Sequence, residues 1–523
     1  MKLSKLEVRE REDAMTKGEL ELARRVTNYY LSAWEDKVDR GLFDLWENIE
    51  GYWEGNPRNR RRDGGQGTDP ESNVNFIHSN IEGQVAQLIE QNIAVSVRPS
   101  GPSDAPYAKT VETILEWIKE KNKIKRKLDI HERRREKFGT GIFRVLFDPD
   151  ALGGIGLPVI EPCNPAYVFV DPNIMDVYKI NEGAFIIETL SKPVSWAVEK
   201  FGADRARLIR PNFHPSSSYV FNEGSSGNYI HIMAWLREGG KLRLVQMSGC
   251  GVILSDSFQN GHDSFYANGR YPYFFTPLYT REGSVWAKGD AELLMPLQDL
   301  VDELDDQIRI NARLSGNPQR LVDIASNIDI DKWTNESGLI IPTSNINGVK
   351  YLTPPDMPDY PLKRRETALN YERQMLTRFY DNSTGYKVQG VKTATEIKSL
   401  QNQEDMVIGH KKILLQETLS EVFEYALELI KEYYTEEQPF KVGEGEKFVW
   451  FRGSDLRAVP RLIGETTASG TKDATFDIEI SVGAGTANNR EFLFDVMSNA
   501  REDGTITPDE YRKYLADEVG VRV

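Results

Sequence analysis

Cysteine is nearly absent, with Cys163 and Cys250 the only two in 523 residues. That is too few for a disulfide framework and fits a reducing compartment. Long apolar runs are missing too. No stretch approaches the roughly eighteen residues needed to cross a bilayer, so no membrane partner is expected. Met1-Lys2-Leu3-Ser4-Lys5 lacks the apolar region of a secretory signal. Histidine is sparse: His78, His131, His214, His231, His262 and His410 are scattered, with no His-Glu-x-x-His and no nearby cysteine pair, so no zinc site is expected. His231, on an expected strand, reads as a packed core residue. A P-loop is lacking, because the nearest approach, Gly464 to Gly470-Thr471-Lys472, has the wrong spacing and order. An ATP-driven motor is therefore not encoded in that form. Basic charge is in deficit as well. The net charge of −15 argues against a simple high-affinity nucleic-acid binder. Acidic balance either serves solubility or suits a passage that a polyanion crosses without sticking. There is no internal repeat and no long low-complexity tract.

What is present is organised around residues 289–434. Leu293, Leu297, Leu300, Leu304 and Ile308 recur at helical spacing and predict a helix over 290–314. Asp290 is a candidate N-cap, and Gly316 with Pro318 ends the run. Pro296 is early enough to be tolerated or to kink the start. The opposite face carries Asp299, Asp302, Glu303, Asp305 and Asp306, and the last turns carry Arg309 and Arg313, which suits the helix dipole. An excursion over 317–360 follows. It mixes strand-like Leu339-Ile340-Ile341 with Pro342, Pro354, Pro355 and Pro358, a density that forbids a continuous helix. A second helix is predicted over 362–380, with Lys363, Arg364, Arg365, Arg373 and Arg378. The loop 383–392 has Lys387, Lys392, Gly385 and Gly390 and no acid. Thr393 and Glu396 form a capping box for a helix reaching Tyr434, with Gly409 the expected bend.

That order resembles the portal proteins of tailed bacteriophages, the ring at the capsid vertex through which DNA passes. Phrases add to the likeness: Gly139-Thr140-Gly141-Ile142-Phe143-Arg144-Val145 leading to Phe147-Asp148-Pro149, then Glu161-Pro162-Cys163-Asn164-Pro165, Val170-Asp171-Pro172, and Gly390-Val391-Lys392-Thr393-Ala394-Thr395-Glu396-Ile397. The resemblance implies an α+β chain with a strand-rich wing (1–288), a stem helix (289–316), a clip (317–360), a second stem helix (361–382), a tunnel loop (383–393), a long helix (394–434), and wing strands with a small helical crown (435–523). It implies a homo-oligomeric ring of about twelve copies, a dodecamer, with a central channel. The implied partners are double-stranded DNA, the terminase large subunit, a head-completion or tail adaptor protein, and the major capsid and scaffolding proteins. The implied place is the virion's unique vertex, after assembly in the host cytoplasm. Lys387, Lys392 and Tyr386 would face DNA in the channel, together with Arg309, Arg313, Arg364 and Arg365. Trp333, Leu339 and Asn345 would serve partner docking, Trp333 being either an anchor or a local core residue. No catalytic residue, cofactor or metal is expected.

Elsewhere the chain reads as helical over 17–52, 75–92 and 107–121, with Val111, Ile114, Leu115 and Ile118 facing inward on the last. A strand is expected over 94–99. Residues 121–137 read as a basic helix, either a phosphate-facing surface or, preferably, an exposed helix pairing with acidic neighbours. The loop 54–72, with Arg58, Arg60, Arg61 and Arg62, reads either as touching phosphate or, preferably, as solvated or subunit-contacting. Strands dominate 142–254, interrupted by a short helix over 193–201 and a polar loop over 204–227. Strands return at 448–451 and 476–482, before helices over 491–499 and 508–516. Two other functional classes arise: a nucleic-acid enzyme (metal-dependent nuclease or helicase-like subunit) using the 299–306 carboxylates, or a capsid or tail component without a channel. On a helix those carboxylates spread around the axis, so a solvated or subunit-facing surface is the better account. The calcium-loop likeness of 499–510 fails because Arg501 stands at a ligand position; Thr507, Pro508 and Glu510 make a helix start instead.

Overall fold

The computed structural model describes residues 14–55, 74–89, 93–211, 227–316, 319–324, 347–352, 358–377, 394–441, 448–457, 459–460 and 471–482. The fold is α+β. The chain divides into two units, one of residues 1–47, 81–290 and 402–523, the other of 48–80 and 291–401.

In the first unit, helix α1 (Lys17–Asp39) opens on a complete capping box. The Glu19 amide donates to Thr16 Oγ1 at 3.2 Å, and the Thr16 amide donates to the Glu19 carboxylate at 2.8 Å. Its stripe of Leu22, Val26, Tyr30 and Ala33 is buried. Helices α2 (Leu42–Trp53) and α3 (Phe76–Ile89), strand β1 (Ile93–Pro99) and helix α4 (Ala105–Lys121) follow. The inward face of α4 is the expected Val111, Ile114, Leu115 and Ile118.

Helix α5 (Ile124–Phe138) departs from the exposed helix expected. Its C-terminal half is interior, with His131, Glu132, Arg135 and Glu136 at 0% exposure. The apolar periodicity is weak there because the buried positions are filled by charged groups that satisfy one another. Arg133 does pair with acids, Glu82 at 2.7 Å and Asp129 at 2.8 Å.

Strands β2 (Thr140–Asp148), β3 (Leu157–Cys163), β4 (Val168–Val170) and β5 (Phe185–Pro193) lead through helices α6 (Val194–Phe201) and α7 (Ala203–Ala206) to β6 (Asn228–Glu238), β7 (Lys241–Ser248), β8 (Ile253–Asp256), β9 (Tyr273–Pro277), β10 (Tyr279–Arg281) and β11 (Ser284–Lys288). The sheet β4-β5-β6-β7-β8 is an antiparallel meander, and β3-β2-β9 forms a second antiparallel sheet. The meander packs with α1 in one core that includes Phe169, Ile187, Ile232 and Val245, with Tyr29 stacked on Phe185 at 4.5 Å. Strand β6 is buried on both faces from Tyr229 to Leu236, so it reads as a nearly unbroken apolar run. His231 is packed in it as expected, between Trp196 and Tyr229, and burial pushes its pKa down to about 4.

Lys37 is enclosed in the same unit. Its Nζ donates to the carbonyls of Pro165 (2.7 Å), Val168 (2.5 Å) and Ala166 (3.3 Å) and lies 4.3 Å from the ring centres of Phe169 and Trp286. Burial pulls its pKa well down. The three acceptors match the three N–H bonds of an ammonium, and the ring faces also favour the charged form.

Helix α8 (Asp290–Gly316) continues through Pro296. From Ala291 onward it belongs to the second unit. Its buried stripe is Ala291, Leu294, Leu297, Val301 and Leu304, whereas Leu293, Leu300 and Ile308 are only half-buried. A helical pitch of 3.6 residues accommodates either set, and packing selects between them. Residues 48–80, expected in the wing, group with this unit. Tyr52 donates to Asp299 at 2.6 Å, the Val74 amide to Asp302 at 3.0 Å, and Gln298 to both the Val74 carbonyl and Asp302.

The excursion after α8 is closed at its base by an antiparallel pair, β12 (Gln319–Val322) with β13 (Val349–Leu352). The second helix starts earlier than expected, as α9 (Asp359–Thr367), because Pro361 is tolerated in a first turn. It passes through a π-helical stretch, Ala368–Glu372, into α10 (Arg373–Thr377).

Helix α11 (Ala394–Tyr433) runs 40 residues, roughly 60 Å, and is α-helical through Gly409. No break in the helix marks the position where a bend was expected. A Cβ at Gly409 would meet nothing within 4 Å among the described residues, so close approach does not explain the glycine either. Strands β14 (Gln438–Lys441) and β15 (Phe448–Phe451) pair, as do β16 (Val459–Pro460) and β17 (Thr471–Lys472). Strand β18 (Phe476–Val482) returns to pair antiparallel with β1, from Ile93↔Val482 to Pro99↔Phe476. The helices expected over 491–499 and 508–516 lie outside the described residues, as do 499–510, Arg58, Arg60, Arg61 and Arg62.

Candidate functional site

The helical unit holds the four arginines expected to face DNA that fall among the described residues. Arg365 pairs with Asp305 across from α9 to α8, Arg309 pairs with Asp306 at 3.1 Å, and Arg364 pairs with Glu372 at 2.8 Å. Arg313 is exposed in the last turns of α8. The Arg365–Asp305 pair joins residues sixty positions apart and braces the two helices side by side. Asn80 donates to Thr377 at 3.1 Å, a buried bond tying α10 to the start of α3 in the same unit. Lys387, Lys392, Tyr386, Trp333, Leu339 and Asn345 lie outside the described residues.

The acidic run of α8 is only in part the solvated or subunit-facing surface expected, with Asp299 and Glu303 exposed. Asp302 is fully buried and Asp306 nearly so. Each carboxylate answers to a different partner: Asp299 to Tyr52, Asp302 to Val74 and Gln298, Asp305 to Arg365, and Asp306 to Arg309. Among the described residues no group of three His, Cys, Asp or Glu side chains could hold a metal ion. This arrangement binds helices to one another.

In the first unit the densest polar locus is one that sequence reasoning missed. Lys411, on α11, is 2% exposed in its side chain, and its Nζ donates to Glu136 at 2.8 and 3.0 Å, to Asp290 at 2.9 Å, and to Gln84. Gln84 also donates to Asp290 at 2.9 Å. Beside it, fully buried Arg135 pairs with Glu132 at 2.6 Å and donates to the Lys411 carbonyl at 3.1 Å. Glu132 meets His131 Nδ1 at 2.8 Å. Burial raises the Glu136 carboxyl to about 7; Lys411 opposes that rise and Asp290 reinforces it.

The backbone is equally close here. A Cβ on Gly139 would stand 2.3 Å from the Ala287 carbonyl oxygen, one on Gly289 2.7 Å from the carbonyls of Glu136 and Lys137, and one on Gly141 2.5 Å from the His131 ring. Gly139 also closes α5 in the left-handed region, at φ +82. The phrase Gly139-Thr140-Gly141 is thus a packing requirement at the place where α5, the first residue of α8 and α11 are ion-paired and α3 is hydrogen-bonded to them through Gln84. The signal available in sequence was Lys411 itself, a charge standing between Ile408 and Leu415 on the buried stripe of α11.

No family model matches the chain, and no curated protein matches it.

Proposed function

We propose that the chain is the subunit of a bacteriophage portal. About twelve copies close into a ring at one capsid vertex, and double-stranded DNA passes through its channel during packaging and ejection. On this reading the ring docks the terminase large subunit, later holds a tail adaptor, meets capsid and scaffolding proteins, and itself breaks no bond. The observation that carries the reading is the sequence of elements from residue 290 to 433. Helices α8 and α9 are braced by Arg365–Asp305, the chain between them leaves and re-enters through β12–β13, and a 40-residue helix follows.

Tyr360, Tyr371, Met375 and Leu376 support it further. They leave apolar surface exposed on the second helix, the kind of surface that subunit contacts cover. The separate partners of Asp299, Asp302, Asp305 and Asp306 favour a structural role for these carboxylates. Electron microscopy of the purified, full-length protein tests the proposal. Closed rings with a central hole are expected, and particles that remain single chains or grow as open filaments across concentration and salt would refute it.

A further inference from the structure

The elbow between α4 and α5 is a strongly cationic surface. Lys119, Lys121, Lys123, Lys125, Arg126 and Lys127 fall within a stretch whose one acid is Glu120, in a chain of net charge −15, and Lys119 pairs with Glu116 just before it. Lys121, Lys123, Lys125 and Arg126 are exposed and make no ion pair among the described residues. Lys121 suits the dipole at the end of α4, whereas the other three are placed against local stability. Lys125 and Arg126 occupy the first turn of α5, which has no acidic residue and no side-chain cap, and cations there oppose the helix dipole. Lys123 holds a left-handed backbone at φ +50, an unusual conformation for a residue with a side chain. The elbow rims a cleft of about 910 Å³ with an apolar floor of Ile89, Ile93, Ala94 and Ile124.

A complementary surface lies on α11. Glu417, Glu421, Glu424 and Glu428 follow at helical spacing and share one face. Ile413, half exposed, precedes them, and Ile478 and Ile480 of β18 border the same groove. Burial raises the carboxyls of Glu421 and Glu424, a rise that Arg270 opposes, and Glu428 pairs with Lys431 at 2.8 Å. The nearest cation to Glu421 is Arg270 at 4.0 Å. One surface borders β1 and the other borders its partner β18, and no ion pair joins the two sets among the described residues.

We propose that these two surfaces meet between copies: the Lys119–Lys127 elbow of one subunit seats against the Glu417–Glu428 face of the next. Each is apolar at its centre and charged at its rim, with opposite signs, as protein interfaces are built. Two different patches in contact make a heterologous interface, which propagates head to tail and closes if the rotation closes. The inference rests on the ring reading and assigns it a contact. A bare DNA site fits less well, because Glu116, Glu120 and Asp129 line the same cleft and DNA gains nothing from its apolar floor.

Charge reversal tests it in the full chain, with mass photometry and electron microscopy across salt as readouts. Lys125→Glu with Arg126→Glu should raise the concentration for half-assembly by about tenfold or more at low salt. Glu417→Lys with Glu421→Lys should do the same. Mixing the two variants in equal amounts should restore assembly, since every contact between alternating copies is again complementary, and so should the fourfold variant alone. Circular dichroism should show each variant folded, the first pair even gaining from acids in the α5 first turn.

Wild-type protein that never assembles would overturn the inference and the ring reading together. Wild-type rings with fully assembling reversal variants, or with no rescue on mixing, would overturn the inference alone. Elbow variants that assemble normally but lose retention on double-stranded DNA would assign the elbow to phosphate instead and also overturn it.

Discussion

Replacing Lys411 by methionine isolates the ion cluster at the root of α8 and α11. Methionine keeps the unbranched stem and its packing and removes only the ammonium. In the wild type that ammonium lies within 2.8–3.0 Å of Glu136 and Asp290, both at 0% side-chain exposure. Two carboxylates would then stand close together, buried, with no counter-ion from Lys411. Breaking a buried pair in this way costs about 3–5 kcal/mol, far more than the net worth of an exposed pair.

The pH dependence follows from Glu136. Its folded pKa is about 7 against an ordinary 4.5, so its contribution to stability is complete below about pH 4.5 and is lost as pH rises through about 7. Without Lys411, which lowers that value, the loss should be steeper, and Lys411→Met should be closest to wild type in mild acid and furthest from it at pH 8. Urea unfolding between pH 5 and 8 measures both. Adding Glu136→Gln and Asp290→Asn should return at least half of the lost stability, because the uncompensated charge is then gone. A loss under about 1 kcal/mol for Lys411→Met, or a triple variant no more stable than the single one, would refute this account of the cluster.

Gly289→Ala places a methyl 2.7 Å from two carbonyl oxygens that belong to backbone, so a loss of several kcal/mol in urea or a failure to fold is expected; near-wild-type unfolding would show that the crossing can open. Gly409→Ala should instead stabilise by about 0.5–1 kcal/mol, since the helix runs through that position and open space surrounds the new methyl. A loss on that substitution, seen in the same titrations, would argue that the glycine serves a bend after all. The double change Lys387→Ala with Lys392→Ala should leave rings intact and alter DNA retention or packaging yield in a salt-dependent way; retention unaltered across salt would remove these lysines from the channel.

Local patterns were legible wherever one face of an element meets an apolar core. The stripe of α4 and the strands over 142–254 could be read directly. The pairing of β1 with β18 could not, because it joins segments nearly four hundred residues apart and strand sequences do not name their partners. Charge misled most. Acidic α8 read as a solvated or subunit-facing surface and basic α5 as an exposed helix pairing with acids, yet Asp302, Arg135 and Glu136 are buried, since a charge enters a core once its partners come with it. Lys37 makes the same point with three carbonyls and two aromatic faces. The arginines of the two paired helices were legible as a cationic set, but their pairing with Asp305, Asp306 and Glu372 needed the helices side by side.

The π-helical stretch at Ala368–Glu372 sets the angular phase of everything after it on the same helix. A π turn takes in an extra residue, and one residue of an α-helix is about 100° of rotation. Deleting a single residue there would restore a uniform pitch and swing Arg373–Thr377 by about that angle, carrying Thr377 away from Asn80 while leaving Arg365 opposite Asp305. The two ends of this helix are therefore indexed separately, Arg365 by an ion pair and Thr377 by a buried hydrogen bond. The five residues between them reconcile two orientations that a plain α-helix would force to agree.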